Sequence, residues 1–311
     1  MFTGFLRNFT IMRNKKTKKL VTHNGKFHSD DIFACAVLSL VLEKENHSYE
    51  VIRTRDIEII KEGDYVFDVG GVYDPDNNRF DHHQLGGAGK HENGIDYASF
   101  GLVWKKYGIV LCSSQEVVDD VDNNLASPVD AEDNGLDLYI PNFKGVLPYA
   151  IWDVFRSFMP TWKEDENMTD SIFPDMVDIA KKILLREIKK SEDKLEAKVL
   201  VEKTYENAVD KRLIILDHYY PWRKALMQHP EPVFVVTPRQ GGKWDLHTVN
   251  VSTDSFKARK DLPESWGGLL NKDLQKVTGV PEAIFCHRGL FLAVANSKEG
   301  ILKLAELALN S

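Results

Sequence analysis

Short alternating apolar runs open this chain, helical spacing follows them, and the same succession returns in a different order past its middle. Residues 18–22 (KKLVT) read as a strand. A polar loop follows, and then Ile32, Cys35, Ala36, Leu38, Ser39 and Leu42 recur at the spacing of one helix face. Strand, loop and helix in that order begin an α/β unit. Two further strands are predicted at 49–53 (YEVIR) and 64–69 (DYVFDV), the second running into Gly70 and Gly71, where the backbone can turn sharply. Residues 79–83 extend a neighbouring strand, a glycine-rich loop covers 86–94 (GGAGKHENG), and 98–107 and 114–124 are helical.

From 170 to 210 the chain is highly charged and helix-favouring, with Ile172, Met176, Ile179, Ile183, Leu184, Ile188, Leu195, Val199 and Ala208 as an intermittent apolar stripe. The stripe is not a strict heptad, so a helical connector fits it better than a coiled coil. Beyond it, strands at 213–217, 233–237, 246–251, 283–287 and 290–296 lead to a closing helix at 298–309, with Arg239 and Lys243 flanking Gly241 and Gly242 at a hairpin tip. The expected fold class is α/β: a first domain at 18–165 with a mainly parallel sheet, a helical connector at 166–210, and a smaller α+β domain at 211–311.

Composition narrows this picture without changing it. A chain of 311 residues exceeds the usual size of one core, and 43% hydrophobic with 28% charged residues is ordinary for a globular protein. A net charge of −7 argues against coating nucleic acid with cations, but not against one strand entering a local metal site. Cys35, Cys112 and Cys286 sit in apolar sequence and read as buried thiols of a reducing compartment. Residues 1–19 hold several basic and no acidic side chains, a composition shared by organelle transit peptides and by plain basic tails, so a cytoplasmic location has a mitochondrial alternative. No apolar run is long enough to span a bilayer.

The chemistry concentrates in four clusters: HNGKFHSDD at 23–31, DVGG at 68–71, DHH at 81–83 and DAEDNG at 130–135. All four are predicted at or just past strand ends, the rim where open α/β sheets bind ligands. Singly, a His-rich turn is commonly a capped loop and an Asp before two glycines a turn residue. Adjacent histidines in extended chain point to opposite faces, so one of the DHH pair could meet a metal and the other a substrate. Together the clusters offer mixed nitrogen and oxygen donors, too many for a structural zinc and suited to two divalent ions bridged by a carboxylate, which activate water for phosphoryl displacement. The 86–94 loop, with Lys90 and His91, could bring backbone N–H groups to a phosphate.

The ordered set H-x4-H-x-D-D, DVGG-x-YD, RFDHHQ, ASFGLVW and VDAEDNG, followed by WDLHTV, SFKARKDLP, WGGL and EGILKLAELAL, resembles the MYG-type exonuclease family, also labelled metal-dependent protein hydrolases and related to the DHH phosphoesterases. The resemblance spans residues 19–309. It implies a DHH-like first domain with His23, His28, Asp30, Asp68, His82 and Asp133 as metal ligands, Asp68 as the bridge, and His83 beside the scissile phosphate. His28 stands where the wider superfamily commonly has a carboxylate, which favours Mn²⁺, Co²⁺ or Zn²⁺ over Mg²⁺. Asp130 and Asp133 compete for the last position; Asp133, before Asn134 and Gly135, is the more natural strand-end residue. The resemblance also implies that the second domain contacts substrate, with Arg259, Trp266, Gly267, Gly268 and His287 as candidates. Arg259 offers a planar fork, Trp266 an indole to stack a base, and the two glycines a close backbone approach.

The reading that follows is a metal-dependent phosphodiesterase, a 3′–5′ exonuclease acting on single-stranded RNA or short oligonucleotides through two divalent ions, Mn²⁺ foremost, and a metal-bound hydroxide, with no membrane partner. Two other readings stand beside it: a hydrolase of pyrophosphate or small phosphates, and a non-catalytic metal-binding scaffold acting through its long helix. The sequence carries no signal for oligomeric state.

Overall fold

Because the KKLVT alternation has its buried residues at Leu20 and Val21, the first strand can lie at the centre of a sheet and carry the chain to a rim. The structure, a computed structural model, describes residues 16–252 and 255–311; the basic segment read as a tail or transit peptide lies mostly outside them. The chain forms two units, divided between Glu192 and Asp193.

The first unit contains β1 (Lys18–Thr22), α1 (Ser29–Lys44), β2 (Tyr49–Arg53), α2 (Ile57–Lys61), β3 (Tyr65–Phe67), β4 (Tyr73–Asp74), β5 (Arg79–Phe80), α3 (Ser99–Leu111), α4 (Gln115–Val121), α5 (Ser127–Asp133) and α6 (Ile151–Arg156), and the division falls within α7 (Met168–Asn207). Its strands run in the order β2-β1-β3-β5-β4, parallel except for β4. The mainly parallel sheet is therefore present. Several predicted strands are longer than those formed: 64–69 shortens to β3 and 79–83 to β5, because Asp68 has φ 53° and Gly70 and Gly71 have φ 97° and 70°, which end the ladder.

Helix α1 is buried from Ser29 through Ser39 and again at Val41 and Leu42, as expected of a helix apolar on every side. Asp31 caps it, accepting the His28 backbone N–H at 2.9 Å. Phe33 stacks on Phe100 of α3 with ring centroids 5.0 Å apart. Truncating Phe33 to Ala would cost about 3–5 kcal/mol in such a core.

In α7 the predicted Met176, Leu184 and Ile188 are buried, but Phe173, Val177, Ala180, Ala197 and Val201 share that face, and the predicted Val199 is exposed. The difference comes from reading Ile and Leu ahead of Ala and Phe; helical periodicity selects positions, not the most hydrophobic residues.

The second unit contains β6 (Leu213–Ile215), α8 (Arg223–Leu226), β7 (Phe234–Pro238), β8 (Trp244–Thr248), α9 (Asn271–Thr278), β9 (Ala283–Cys286), β10 (Leu292–Ala295) and α10 (Lys298–Asn310). Its sheet order is β6-β7-β8-β10-β9, antiparallel except for the β6–β7 pair. The strand predicted at 246–251 begins earlier, at Trp244, because the turn through Gln240–Gly242 closes a hairpin with Trp244 opposite Pro238. Leu246, Ala293, Ile301, Leu304 and Ala305 belong to the core of this unit. Among the described residues no helix is long and apolar enough to cross a membrane. Cys35 and Cys286 are buried, whereas Cys112 is only half-buried, and burial pushes all three thiols up, to about 12, 11 and 12 respectively.

Candidate metal centre

The first two strands of the sheet diverge around β1: α1 carries the chain to β2 on one side, and α2 brings it back to β3 on the other. The order reverses between β1 and β3, and a crevice opens beyond their carboxyl ends. The chain leaves β1 at His23 and β3 at Asp68, while the segment after β5 delivers Asp81, His82 and His83. Asp68 occupies the left-handed region at φ 53°, unusual for a residue with a side chain, and its N–H donates to the Phe80 carbonyl at 3.2 Å. Strain of about 1–3 kcal/mol held in this way concentrates at functional sites.

His23 Nε2 lies 3.0 Å from Asp68 Oδ2 and 3.2 Å from Asp31 Oδ2. His82 Nε2 lies 3.5 Å from Asp68 Oδ1 and 3.3 Å from Asp133 Oδ2, and His28 Nδ1 is 3.4 Å from Asp133 Oδ1. Three overlapping groups result, His23–His28–Asp68, Asp68–His82–His83 and His28–Asp30–Asp133, each with its donor atoms within 4.8 Å of one another. The six side chains that the resemblance implied as ligands thus converge, and Asp68 belongs to two of the three groups.

Close as these atoms are, His23 Nε2, Asp30 Oδ1, Asp31 Oδ2, Asp68 Oδ1 and His82 Nε2 are buried with no aligned hydrogen bond. Their lone pairs point into shared space rather than at each other, at a cost of about 1–3 kcal/mol for each unsatisfied group. Burial, then the carboxylates of Asp68, Asp133 and Asp31, holds the Asp30 carboxyl well above its ordinary range. Burial lowers His23 and His82, yet the carboxylates at Asp31 and Asp68, and at Asp133 and Asp68, push both up to about 10. The same imidazoles hold the Asp68 carboxyl below its ordinary range against burial, so the carboxylates of the cluster draw positive charge towards them, which divalent cations can supply. Orphaned imidazole nitrogens beside orphaned carboxylate oxygens are the donor set such an ion takes, so the residues fit one.

His83 differs from its neighbour. It is 63% exposed, and its Nδ1 donates to Asp81 Oδ1 at 2.7 Å while standing 3.6 Å from Asp68 Oδ1. Asp81 is itself anchored by the Gly71 N–H, which donates to its Oδ2 at 2.6 Å. The bond to Asp81 raises His83 above its ordinary value despite partial burial.

Other expectations are corrected. The fourth cluster is not at a strand end: Asp133 is the last residue of α5, delivered by a helix. Asp130, one turn earlier, accepts the backbone N–H of Ala98 at 2.9 Å and of Gly101 at 3.0 Å, capping α3, and also bonds His91 Nε2 at 2.8 Å. In the 86–94 loop His91 is 3% exposed with its other nitrogen on Asp122, Lys90 pairs with Asp96, and the backbone N–H groups of Gly87, His91 and Gly94 donate to the carbonyls of Gln84, Ile95 and His91.

In the second unit, the Arg259 guanidinium donates to the carbonyls of His229, Pro232 and Met227, which occupies its fork. Trp266 is 4% exposed and belongs to the core, so its face is not open to a base. Gly267 and Gly268 lie against the turn after β9, with Gly268 N–H donating to the Cys286 carbonyl at 3.1 Å, and His287 Nδ1 accepts the Gly289 N–H at 2.9 Å.

Sequence reasoning missed three contributors. Asp31 both caps α1 and approaches His23; its signal was the acidic pair opening a helix. Arg53 donates to the Gly25 carbonyl at 2.7 Å and pairs with Asp170, bracing the loop between His23 and His28. Trp152 stands edge-on to His28 with ring centroids 5.8 Å apart. Neither of these two leaves a local pattern, since each acts across the fold.

Imidazole and carboxylate donors crowded at the switch point of a mainly parallel sheet make this a metal-dependent hydrolase. The model of the MYG1 exonuclease family, described as an uncharacterised protein family (UPF0160), matches residues 19–309, and the chain belongs to that family. It is 31% identical to the MYG1 exonuclease of Mus musculus over 94% of this chain and 84% of the mouse protein. It is also 31% identical to a MYG1 protein of Chlamydia pneumoniae over 94% of this chain and 97% of that one. Among solved structures it is distantly similar, at 10% identity and a TM-score of 0.30, to Thermus thermophilus RecJ in complex with Mn²⁺, over 94% of this chain and 52% of RecJ.

Proposed function

We propose that the protein is a phosphodiesterase that removes nucleotides from the 3′ end of single-stranded RNA or short oligonucleotides, using two divalent cations, Mn²⁺ foremost. The observation that carries this reading is the set of five orphaned buried donor atoms around Asp68. His23, His28, Asp30, Asp68, His82 and Asp133 would hold the ions. Bound there, the cations would neutralise phosphate charge and lower the pKa of an attacking water. The mouse relative's name as an exonuclease supports a nucleic-acid substrate.

The chain's own part begins with His83. Asp81 fixes its Nδ1, which leaves Nε2 on an exposed ring at the edge of the cluster to bind a phosphate oxygen or give a proton to the leaving oxygen. Asp31 and Arg53 keep the His23 loop in place around the reacting group.

The test is to incubate purified full-length protein and Mn²⁺ with 5′-labelled oligoribonucleotides and, separately, with pyrophosphate. A ladder shortening from the 3′ end is the expected result. Phosphate released from pyrophosphate with the oligomer intact would replace this reading with that of a small-phosphate hydrolase.

A further inference from the structure

A cleft of about 880 Å³ in the first unit begins in the loop that joins His23 to His28. Asn24 and Lys26 of that loop form one wall, Arg156 at the end of α6 another, and Trp162 and Asn167 a third, ahead of α7. We infer that this cleft is the nucleotide subsite next to the metal centre, where Lys26 and Arg156 bind a backbone phosphate of a single strand and the Trp162 indole stacks its base. The inference rests on the phosphodiesterase reading and adds where the strand runs.

Three observations carry it. First, Lys26 and Arg156 are exposed and have no ion-pair or hydrogen-bond partner among the described residues. Two of the carboxylates lining the cleft are already engaged: Asp170 pairs with Arg53, and Glu164 accepts the Thr161 N–H at 2.7 Å, while Glu166 stands exposed at the rim. Glu164 keeps its charge in that bond and Glu166 has its own, so the case for an anion rests on where Lys26 and Arg156 stand, as the two cations of the lining, and not on the sum of its charges.

Second, Trp162 is 89% exposed, touched only by the ammonium of Lys163 at 5.0 Å from its ring centroid. An indole left in water beside unpaired cations is the combination that binds single strands without reading sequence, one part for the base and one for the backbone. The amides of Asn24 and Asn167 supply donors and acceptors for a base edge or a 2′-hydroxyl. The volume falls within the range of about 300–1,000 Å³ of small-ligand sites.

Third, the cleft shares a wall with the metal cluster, because its residues Asn24, Gly25 and Lys26 lie between His23 and His28 in the chain. Trp152, in the first turn of α6, meets His28, and Arg156 ends the same helix at the cleft, about 6 Å further along the axis. The brace from Arg53 to Gly25 fixes the wall that cleft and cluster share.

The experiment measures binding of a 5′-fluorescein phosphorothioate oligouridylate to the full-length, Mn²⁺-loaded protein by anisotropy over a series of salt concentrations, with cleavage of the ordinary oligouridylate followed in parallel. Arg156→Ala and Lys26→Ala should each weaken binding about five- to twentyfold and flatten the slope of log K against log salt by about 0.7. Trp162→Ala should weaken binding about five- to a hundredfold with an unchanged salt slope, and Trp162→Phe should recover most of the loss. Wild-type protein that binds and cuts the strand, with all these variants indistinguishable from it, overturns the subsite and leaves the phosphodiesterase reading standing. Wild-type protein that binds the strand through these residues but cuts nothing overturns that reading and leaves the subsite. Absence of any binding removes both.

Discussion

Two buried histidine–carboxylate networks lie in the first unit, and they end in opposite states. His91 is bonded at both ring nitrogens, to Asp122 at 2.9 Å and Asp130 at 2.8 Å, and Asp130 also takes two backbone N–H groups at the start of α3. At the rim, His23 and His82 stand 3.0 and 3.5 Å from Asp68, yet their inner donor atoms are unmatched. The same residue types therefore do two jobs. Where every lone pair and proton finds a protein partner, the network ties helices together; where lone pairs face common space, it is built to take cations.

The sharpest way to break this comparison is to neutralise one carboxylate in the rim. Asp68→Asn should lower kcat about a thousandfold or more and reduce bound metal, with the circular dichroism spectrum unchanged, because a neutral amide cannot hold two dications. Full activity in that variant removes Asp68 from the centre. The mirror experiment is His91→Ala, which takes the imidazole away from buried Asp130 and half-buried Asp122. It should cost about 3–5 kcal/mol in urea denaturation while metal per folded chain stays at the wild-type level. Metal lost from the folded variant would mean that the two networks are one.

A smaller effect is expected at Gly101. A Cβ there would run into Asp130 Oδ2 and sit 2.8 Å from His91 Nε2, so Gly101→Ala should cost about 1–3 kcal/mol by the same denaturation assay. The smallest is in pH. Burial lowers His91, but Asp122 and Asp130 raise it to about 9 from an ordinary value of 6.5. A raised folded-state pKa adds stability that is complete below 6.5 and is lost as pH climbs through 9. Calorimetry should show the Tm falling over that interval, and His91→Gln should flatten the fall; an equal fall in both proteins would assign it to other groups.

How far such distinctions were legible in the sequence varied by residue. His23 and Asp68 were legible because each directly follows an apolar run that can only be a strand, and a strand end on a parallel sheet is a ligand position. Asp133 was legible as a ligand candidate through the family resemblance but not as a helix residue, since SPVDAED carries no apolar stripe of its own. Asp130 and Asp133 were indistinguishable until α3 placed two N–H donors over Asp130. Arg259 and Trp266 carried the right chemistry for a phosphate and a base, but three carbonyls occupy one and the core covers the other.

By itself, then, the sequence determined most of the strands, the longer helices α1, α3, α7 and α10, and the clusters in which its chemistry gathers. These follow from periodicity and local backbone preference, which act over a few residues. Only the tertiary structure decided which histidines are satisfied and which carboxylates are left facing empty space. Hydrogen-bond partners come from segments tens of residues apart, and no local pattern records who has already claimed a lone pair.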